Sequence, residues 1–81
     1  MQLQYYDELS TYLQKFTDKQ IGVSDNLFDI GLLNSLFIMQ IIGFIEFQFH
    51  IKMENDDITR DNFKTIHQIN CLILKKKKTD K

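Results

Sequence analysis

The segment 36–49 is apolar nearly all the way round a helix. Leu36, Phe37, Ile38, Met39, Ile41, Ile42, Phe44, Ile45, Phe47 and Phe49 leave only Gln40, Gly43, Glu46 and Gln48 as breaks. Its aromatic and β-branched content would suit a strand, but strands rarely exceed ~10 residues, so the length favours a helix over 35–49. A helix without a polar face has to be covered on most sides. The run is too short and too often interrupted by polar groups to span a bilayer, so no membrane insertion is expected. The cover must come from the rest of an 81-residue chain. A chain of this length builds one modest core, so part of that surface is expected to meet a partner.

The flanking sequence offers the walls. Leu3, Tyr6, Leu9, Leu13 and Phe16 recur at helical spacing, with Asp7, Glu8, Gln14 and Lys15 on the other face. They predict an amphipathic helix over 2–16. Residues 17–34 form a long loop with apolar anchors of its own: Ile21, Val23, Leu27, Phe28, Ile30 and Leu33. A loop this long in a small domain is generally functional or packed by its own side chains. Residues 50–64 predict a second loop with a short helical turn near 56–61. In Thr65-Ile66-His67-Gln68 the Thr hydroxyl can accept from the backbone N–H three residues on while Gln68 reaches back, a capping box. It opens a last helix that runs to the lysines, with Ile66, Ile69, Asn70 and Ile73 on one face. The fold class is all-α: a small bundle of three main helices plus one short helix, with a long loop between the first two. No internal repeat is visible.

Charge divides the chain unevenly. The formal net charge is −1, yet residues 75–81 hold five Lys against one Asp and residues 1–74 hold ten acids against five bases. The expected organisation is an acidic helical domain over 1–74 and a basic, flexible C-terminal tail over 75–81. A run of four lysines is usually a solvated end, and cations also suit a helix C-terminus. Nucleic-acid binding would need a basic face on the body, so no nucleic-acid partner is expected. The single Cys71 excludes an intrachain disulfide and a cysteine-based zinc cluster, and its apolar neighbours predict a buried thiol. The N-terminus lacks a basic region followed by an apolar run, which reads as a cytoplasmic protein.

Ser35 stands at the predicted start of the apolar helix, delivered by a loop that contains Gly31. A nucleophilic serine needs a base within hydrogen-bond reach and a group to orient that base. His50 and His67 belong to no such constellation, and the Gly-x-Ser-x-Gly elbow is absent. The acidic pair Asp56-Asp57 lacks the glycine and terminal Glu of a calcium loop. Ser35 therefore reads as a residue that is modified, not one that performs chemistry, and no catalytic or metal site is expected. The unpaired N–H groups and dipole of a helix N-terminus favour an anion there. Asn34 or Ser35 can equally serve as a plain N-cap, and local physics alone favours that simpler role.

The stretch Leu27-Phe28-Asp29-Ile30-Gly31-Leu32-Leu33-Asn34-Ser35-Leu36 resembles the loop of acyl carrier proteins and of the related peptidyl and D-alanyl carrier proteins. Their pattern is close to Leu-x-x-x-Gly-hydrophobic-x-Asp-Ser-Leu. The resemblance continues through Ile41, Ile42, Ile45, Glu46 and Phe49, through Ile51-Lys52-Met53 and Asp57-Ile58, and through Phe63-Lys64-Thr65-Ile66, covering about 3–74. It implies that Ser35 is the attachment point for 4′-phosphopantetheine, installed from coenzyme A by a Mg²⁺-dependent phosphopantetheinyl transferase, with Asn34 and Leu36 as the flanking motif. It further implies a monomeric, non-enzymatic, freestanding carrier of acyl, aminoacyl or peptidyl thioesters, serving a loading enzyme and a downstream synthase or transferase. The second helix would be its recognition surface, with Leu36, Phe37, Met39, Gln40, Gly43, Glu46 and Phe47 meeting partners. Ile38, Ile42, Ile45 and Phe49 would be core or lipid-pocket positions.

Two departures carry consequences. Asn34 replaces the usual Asp, an amide of the same size and capping ability. Glu46 is the only acid of the second helix, where the family is usually acid-rich, so contacts should be more apolar and steering weaker. This points to dedicated partners in specialised polyketide or nonribosomal peptide biosynthesis more than to general fatty acid biosynthesis. The alternative is a carrier-like protein–protein interaction domain without the prosthetic group.

Overall fold

The computed structural model describes residues 4–79. Leu3, expected in the first helix, lies outside them. Among the described residues the elements are α1 (Tyr6–Gln14), α2 (Ser35–Phe49), a 3₁₀ turn at Asn55–Asp57, α3 (Arg60–Phe63) and α4 (Ile66–Thr79), with no strand. The all-α bundle with a long first loop is the architecture the sequence predicts. The turn expected near 56–61 is present as two pieces, the 3₁₀ turn and α3. No helix among the described residues is long and apolar enough to cross a membrane.

α2 is capped at its start by Asn34 and at its end by His50, which takes a left-handed conformation with φ 58°. Of its many apolar residues, Phe37, Ile41, Ile45 and Phe49 are buried, one on each successive turn. Leu9 and Leu13 of α1 and Ile66, Ile69, Leu72 and Ile73 of α4 complete the same core. α4 packs against α1 and α3. The rings of Tyr5 and Phe49 meet edge-on at 4.8 Å, and those of Phe16 and Phe37 at 4.7 Å, so α1 and α2 run antiparallel.

α1 is shorter than predicted because a side chain ends it. Gln14 Nε2 donates to the carbonyls of Thr17 and Lys19 at 3.4 and 3.0 Å, while its Oε1 accepts from Ile21 N–H at 3.1 Å. These bonds hold the chain as it leaves the helix and start the long loop. Phe16 falls beyond the helix and is exposed, although its ring still packs on Tyr12 and Phe37.

The predicted buried face of α4, with Ile66, Ile69, Asn70 and Ile73, is the face that packs. Thr65 caps it by accepting from Gln68 N–H at 3.0 Å. Asn70 is the one polar residue in the described core. Its Oδ1 accepts from Tyr5 N–H at 2.8 Å, tying the start of α1 to the middle of α4, whereas its Nδ2 has no partner. A buried donor left unmade costs about 1–3 kcal/mol, so the core gives up stability to hold this register. Cys71, expected to be buried, is half-buried and free.

α4 continues through the lysines at 75–78 to Thr79, and residues 80–81 of the expected tail lie outside the described residues. Lys76 Nζ pairs with Asp57 Oδ2 at 2.7 Å. Asp57 also accepts from Glu54 N–H at 2.8 Å and so joins the 3₁₀ turn to the end of α4.

That pair makes stability depend on acid pH. The Lys76 hydrogen bond, helped by the Glu54 N–H, holds the Asp57 carboxyl below its ordinary value of 3.8. A carboxyl whose folded-state pKa is depressed stabilises the fold above the unfolded value and ceases to do so as pH falls through the folded one. Thermal melts followed by circular dichroism should show Asp57→Asn melting below the wild type at pH 7. The gap should narrow as pH drops below about 4.

Candidate functional site

The approach to Ser35 is built by backbone bonds that the sequence encodes locally. Asn26 Oδ1 accepts from Phe28 N–H and Asp29 N–H at 2.9 and 3.1 Å, an Asx turn that folds the loop back on itself. One helical turn follows, closed by Ile30 N–H to Asn26 O and Gly31 N–H to Phe28 O. Gly31 ends it with φ 80°, a region that costs a side-chain-bearing residue about 1 kcal/mol or more. The N–H groups of Leu32 and Leu33 then both bond to Leu27 O at 3.1 Å, and their side chains are buried.

This loop is fastened to the rest of the bundle at three points. Leu27 N–H donates to Lys64 O at 2.7 Å and His67 N–H to Val23 O at 3.1 Å. The Arg60 guanidinium lies 4.1 Å from the centroid of the Phe28 ring, a cation–π contact between α3 and the loop.

Asn34 leaves the loop extended and caps α2. Its Oδ1 accepts from Phe37 N–H at 2.9 Å, and its carbonyl accepts from Ile38 N–H at 2.9 Å. The amide therefore supplies the N-cap interaction that an Asp would supply. Ser35 is the first residue of α2 and is exposed. The N–H groups of Ser35 and Leu36 have no acceptor within the helix. No acid stands in the first turn of α2.

Ser35 has no hydrogen-bonded base among the described residues. No protein group hydrogen-bonds its hydroxyl among the described residues. His50 stands at the opposite end of α2, ~22 Å away along a helix that rises 1.5 Å per residue. Among the described residues no three His, Cys, Asp or Glu side chains gather as metal ligands.

The outward face of α2 carries most of the residues expected to meet partners. Leu36, Met39 and Phe47 are 75%, 68% and 81% exposed, and Gln40 and Gly43 are exposed beside them. Two expected members are not free. Phe37 is only 8% exposed, because its ring turns inward against Phe16 and Tyr12. Glu46 is half-buried, and its carboxylate accepts from Met53 N–H at 2.8 Å, pinning the chain that follows α2. Of the residues expected in the core, Ile45 and Phe49 are buried, while Ile38 and Ile42 are half-buried. Ile41 takes the central buried place instead. Gln14 and Asn26 shape the loop that presents Ser35, and only the general preference of Asn for turns hinted at either.

The family model described as a phosphopantetheine attachment site matches residues 7–69, from the first turn of α1 into α4. The chain belongs to this family. No curated protein and no solved structure matches it. Phosphopantetheine-attachment domains are carriers without catalytic activity of their own, they bear a 4′-phosphopantetheine group, and they work with phosphopantetheinyl transferases and biosynthetic enzymes. The geometry at Ser35 fits such a group. An exposed serine, its hydroxyl unbonded among the described residues, stands beside two backbone N–H donors, with no carboxylate in the same turn to repel a phosphate.

The loop geometry predicts its own sensitivities. Asn34→Ala should lower the unfolding free energy by about 1 kcal/mol in urea titrations, and Asn34→Asp should leave it within a few tenths. Gly31→Ala should cost a similar ~1 kcal/mol through the left-handed backbone it must adopt.

Proposed function

We propose that Ser35 is the residue that carries 4′-phosphopantetheine and that this chain presents thioester-linked acyl, aminoacyl or peptidyl intermediates to a dedicated set of enzymes. The observation that carries the reading is the exposed Ser35 at the Asn34-capped start of α2, inside the matched family region. In the loading step Ser35 Oγ attacks the phosphorus of coenzyme A that bears the pantetheine. A new P–O bond forms, the bond to the adenosine bisphosphate breaks, and the serine proton passes to a base of the transferase, because none of the described residues hydrogen-bonds the Ser35 hydroxyl. Once attached, the arm supplies a terminal thiol that holds cargo as a thioester. The chain's own residues position and display: Asn34 fixes the first turn, Gly31 and the buried Leu32 and Leu33 set where that turn begins, and the N–H groups of Ser35 and Leu36 would be the donors that hold the phosphate.

The partners we assign are a phosphopantetheinyl transferase, a loading enzyme and a downstream synthase or transferase in specialised polyketide or nonribosomal peptide biosynthesis, met by a monomer in the cytoplasm. The exposed apolar stripe of Leu36, Met39, Gly43 and Phe47 supports this reading. Such a face favours complementary contact with particular enzymes over long-range steering by charge.

Incubation of the unmodified protein with a broad-specificity transferase, coenzyme A and Mg²⁺ should add one phosphopantetheine by intact mass. Ser35→Ala should add none. A gain on Ser35→Ala, or no gain on the wild type with several transferases and on protein from its native host, overturns the reading. Partner binding that survives Ser35→Ala but fails on Phe47→Ala would instead favour an interaction domain that works without the arm. Phe47 is 81% exposed, so Phe47→Ala should change stability by no more than about 0.5 kcal/mol in the same urea titrations. Any loss of partner turnover by that variant then reports on contact and not on folding.

A further inference from the structure

An enzyme that reaches Ser35 has to cover α2, and α2 offers it no free anion. The only acid of that helix, Glu46, is engaged with Met53 N–H. Free carboxylates stand on the neighbouring helix. Asp7 and Glu8, in the first turn of α1, are exposed and border an open groove of about 320 Å³ between α1 and α2. Its lining includes Tyr12 and Phe44, whose rings stack at 3.9 Å with 9° between their planes, and Thr11 and Gln48 flank them.

We infer that this groove receives an arginine-bearing segment of the transferase that modifies Ser35. The inference rests on the reading of Ser35 given above. A guanidinium is the group whose chemistry matches the lining. It pairs with carboxylates through a planar fork of donors, and it stacks on aromatic rings with little loss of hydration. Lys15 also borders the groove, at the end nearer Ser35, since α1 and α2 are antiparallel. It stands ~10 Å from Glu8 along the helix, about one Debye length at 0.1 M salt, so the two acids keep a field of their own.

Distance allows one enzyme to touch both places. Phe44 lies about two and a half turns beyond Ser35, ~13 Å along α2. A standard interface covers about 800 Å² on each partner, roughly 30 Å across, and so spans Ser35 and the groove together. The groove thus supplies the electrostatic contact that α2 itself has lost, on a different helix.

The test uses the full-length, unmodified chain with a broad-specificity phosphopantetheinyl transferase, coenzyme A and Mg²⁺, with rates followed by intact mass at several salt concentrations. Asp7→Asn/Glu8→Gln should lower kcat/KM about tenfold, mainly through KM, and flatten its dependence on salt. Gln48→Arg places a cation in the groove from α2 and leaves the first turn of α1 intact, and it should produce a comparable loss. Asp18→Lys, in the exposed loop after α1, changes net charge as much as the double variant and should stay within about twofold of the wild type. Circular dichroism melts establish that each variant is folded. Groove variants that match the wild type, or an Asp18→Lys loss as large as theirs, overturn the inference and leave the reading of Ser35 standing. A wild type that accepts no phosphopantetheine overturns both.

Discussion

Burial of one stripe of α2 holds this bundle together. Phe37, Ile41, Ile45 and Phe49 are the α2 side chains that reach the common core with Leu9, Leu13, Ile69 and Ile73. Burying each such side chain fully contributes roughly 1.5–3 kcal/mol, and the stripe holds four of them. Because the stripe recurs every fourth residue along the whole of α2, it also aligns the helix from Ser35 to His50. The antiparallel ring pairs at the two ends, Tyr5 on Phe49 and Phe16 on Phe37, mark the register that results.

The site depends on that register but is assembled by smaller forces. Hydrogen bonds accepted by Asn26 Oδ1, Leu27 O and Asn34 Oδ1, and the left-handed Gly31, bring the chain to Ser35 in one geometry. The buried Leu32 and Leu33 keep it there. A carrier needs little more than this. Its serine must be reachable, its first turn must tolerate a phosphate, and nothing nearby may compete for the hydroxyl. The proposed attachment at Ser35 draws on an exposed serine at the capped start of α2. α2 leaves Leu36, Met39 and Phe47 in water because the core takes only one side of the helix.

Polar side chains in the bundle mostly act as ties between elements. Gln14 ends α1 and starts the long loop, Glu46 fixes the chain after α2, Asp57 joins the 3₁₀ turn to Lys76 of α4, and Asn70 binds Tyr5. Each replaces a contact that a larger core would supply. The tie through Asn70 carries a visible cost, since its Nδ2 stays unpartnered inside the core.

Much of this was legible in the sequence. The limits of α2 follow from a capping Asn before a mostly apolar run of helical length, and the buried face of α4 follows from Ile66, Ile69, Asn70 and Ile73 at helical spacing. The phosphopantetheine family is readable in the loop that ends at Ser35, because turn chemistry acts over a few residues and leaves its mark on them. What the sequence could not decide is which side of α2 faces inward. A helix that is apolar all round has no preferred face of its own, so Phe37 and Ile42 look interchangeable along the chain. Only the placement of α1 and α4 buried Phe37 and Ile41 while leaving Ile38 and Ile42 half-covered. The same packing drew Glu46 onto Met53 N–H and set Asp7 and Glu8 beside Phe44. The sequence by itself determined the helices, the loop and the serine it presents. The tertiary structure decided which apolar residues became core and which became surface, because that choice depends on neighbours far away in the chain.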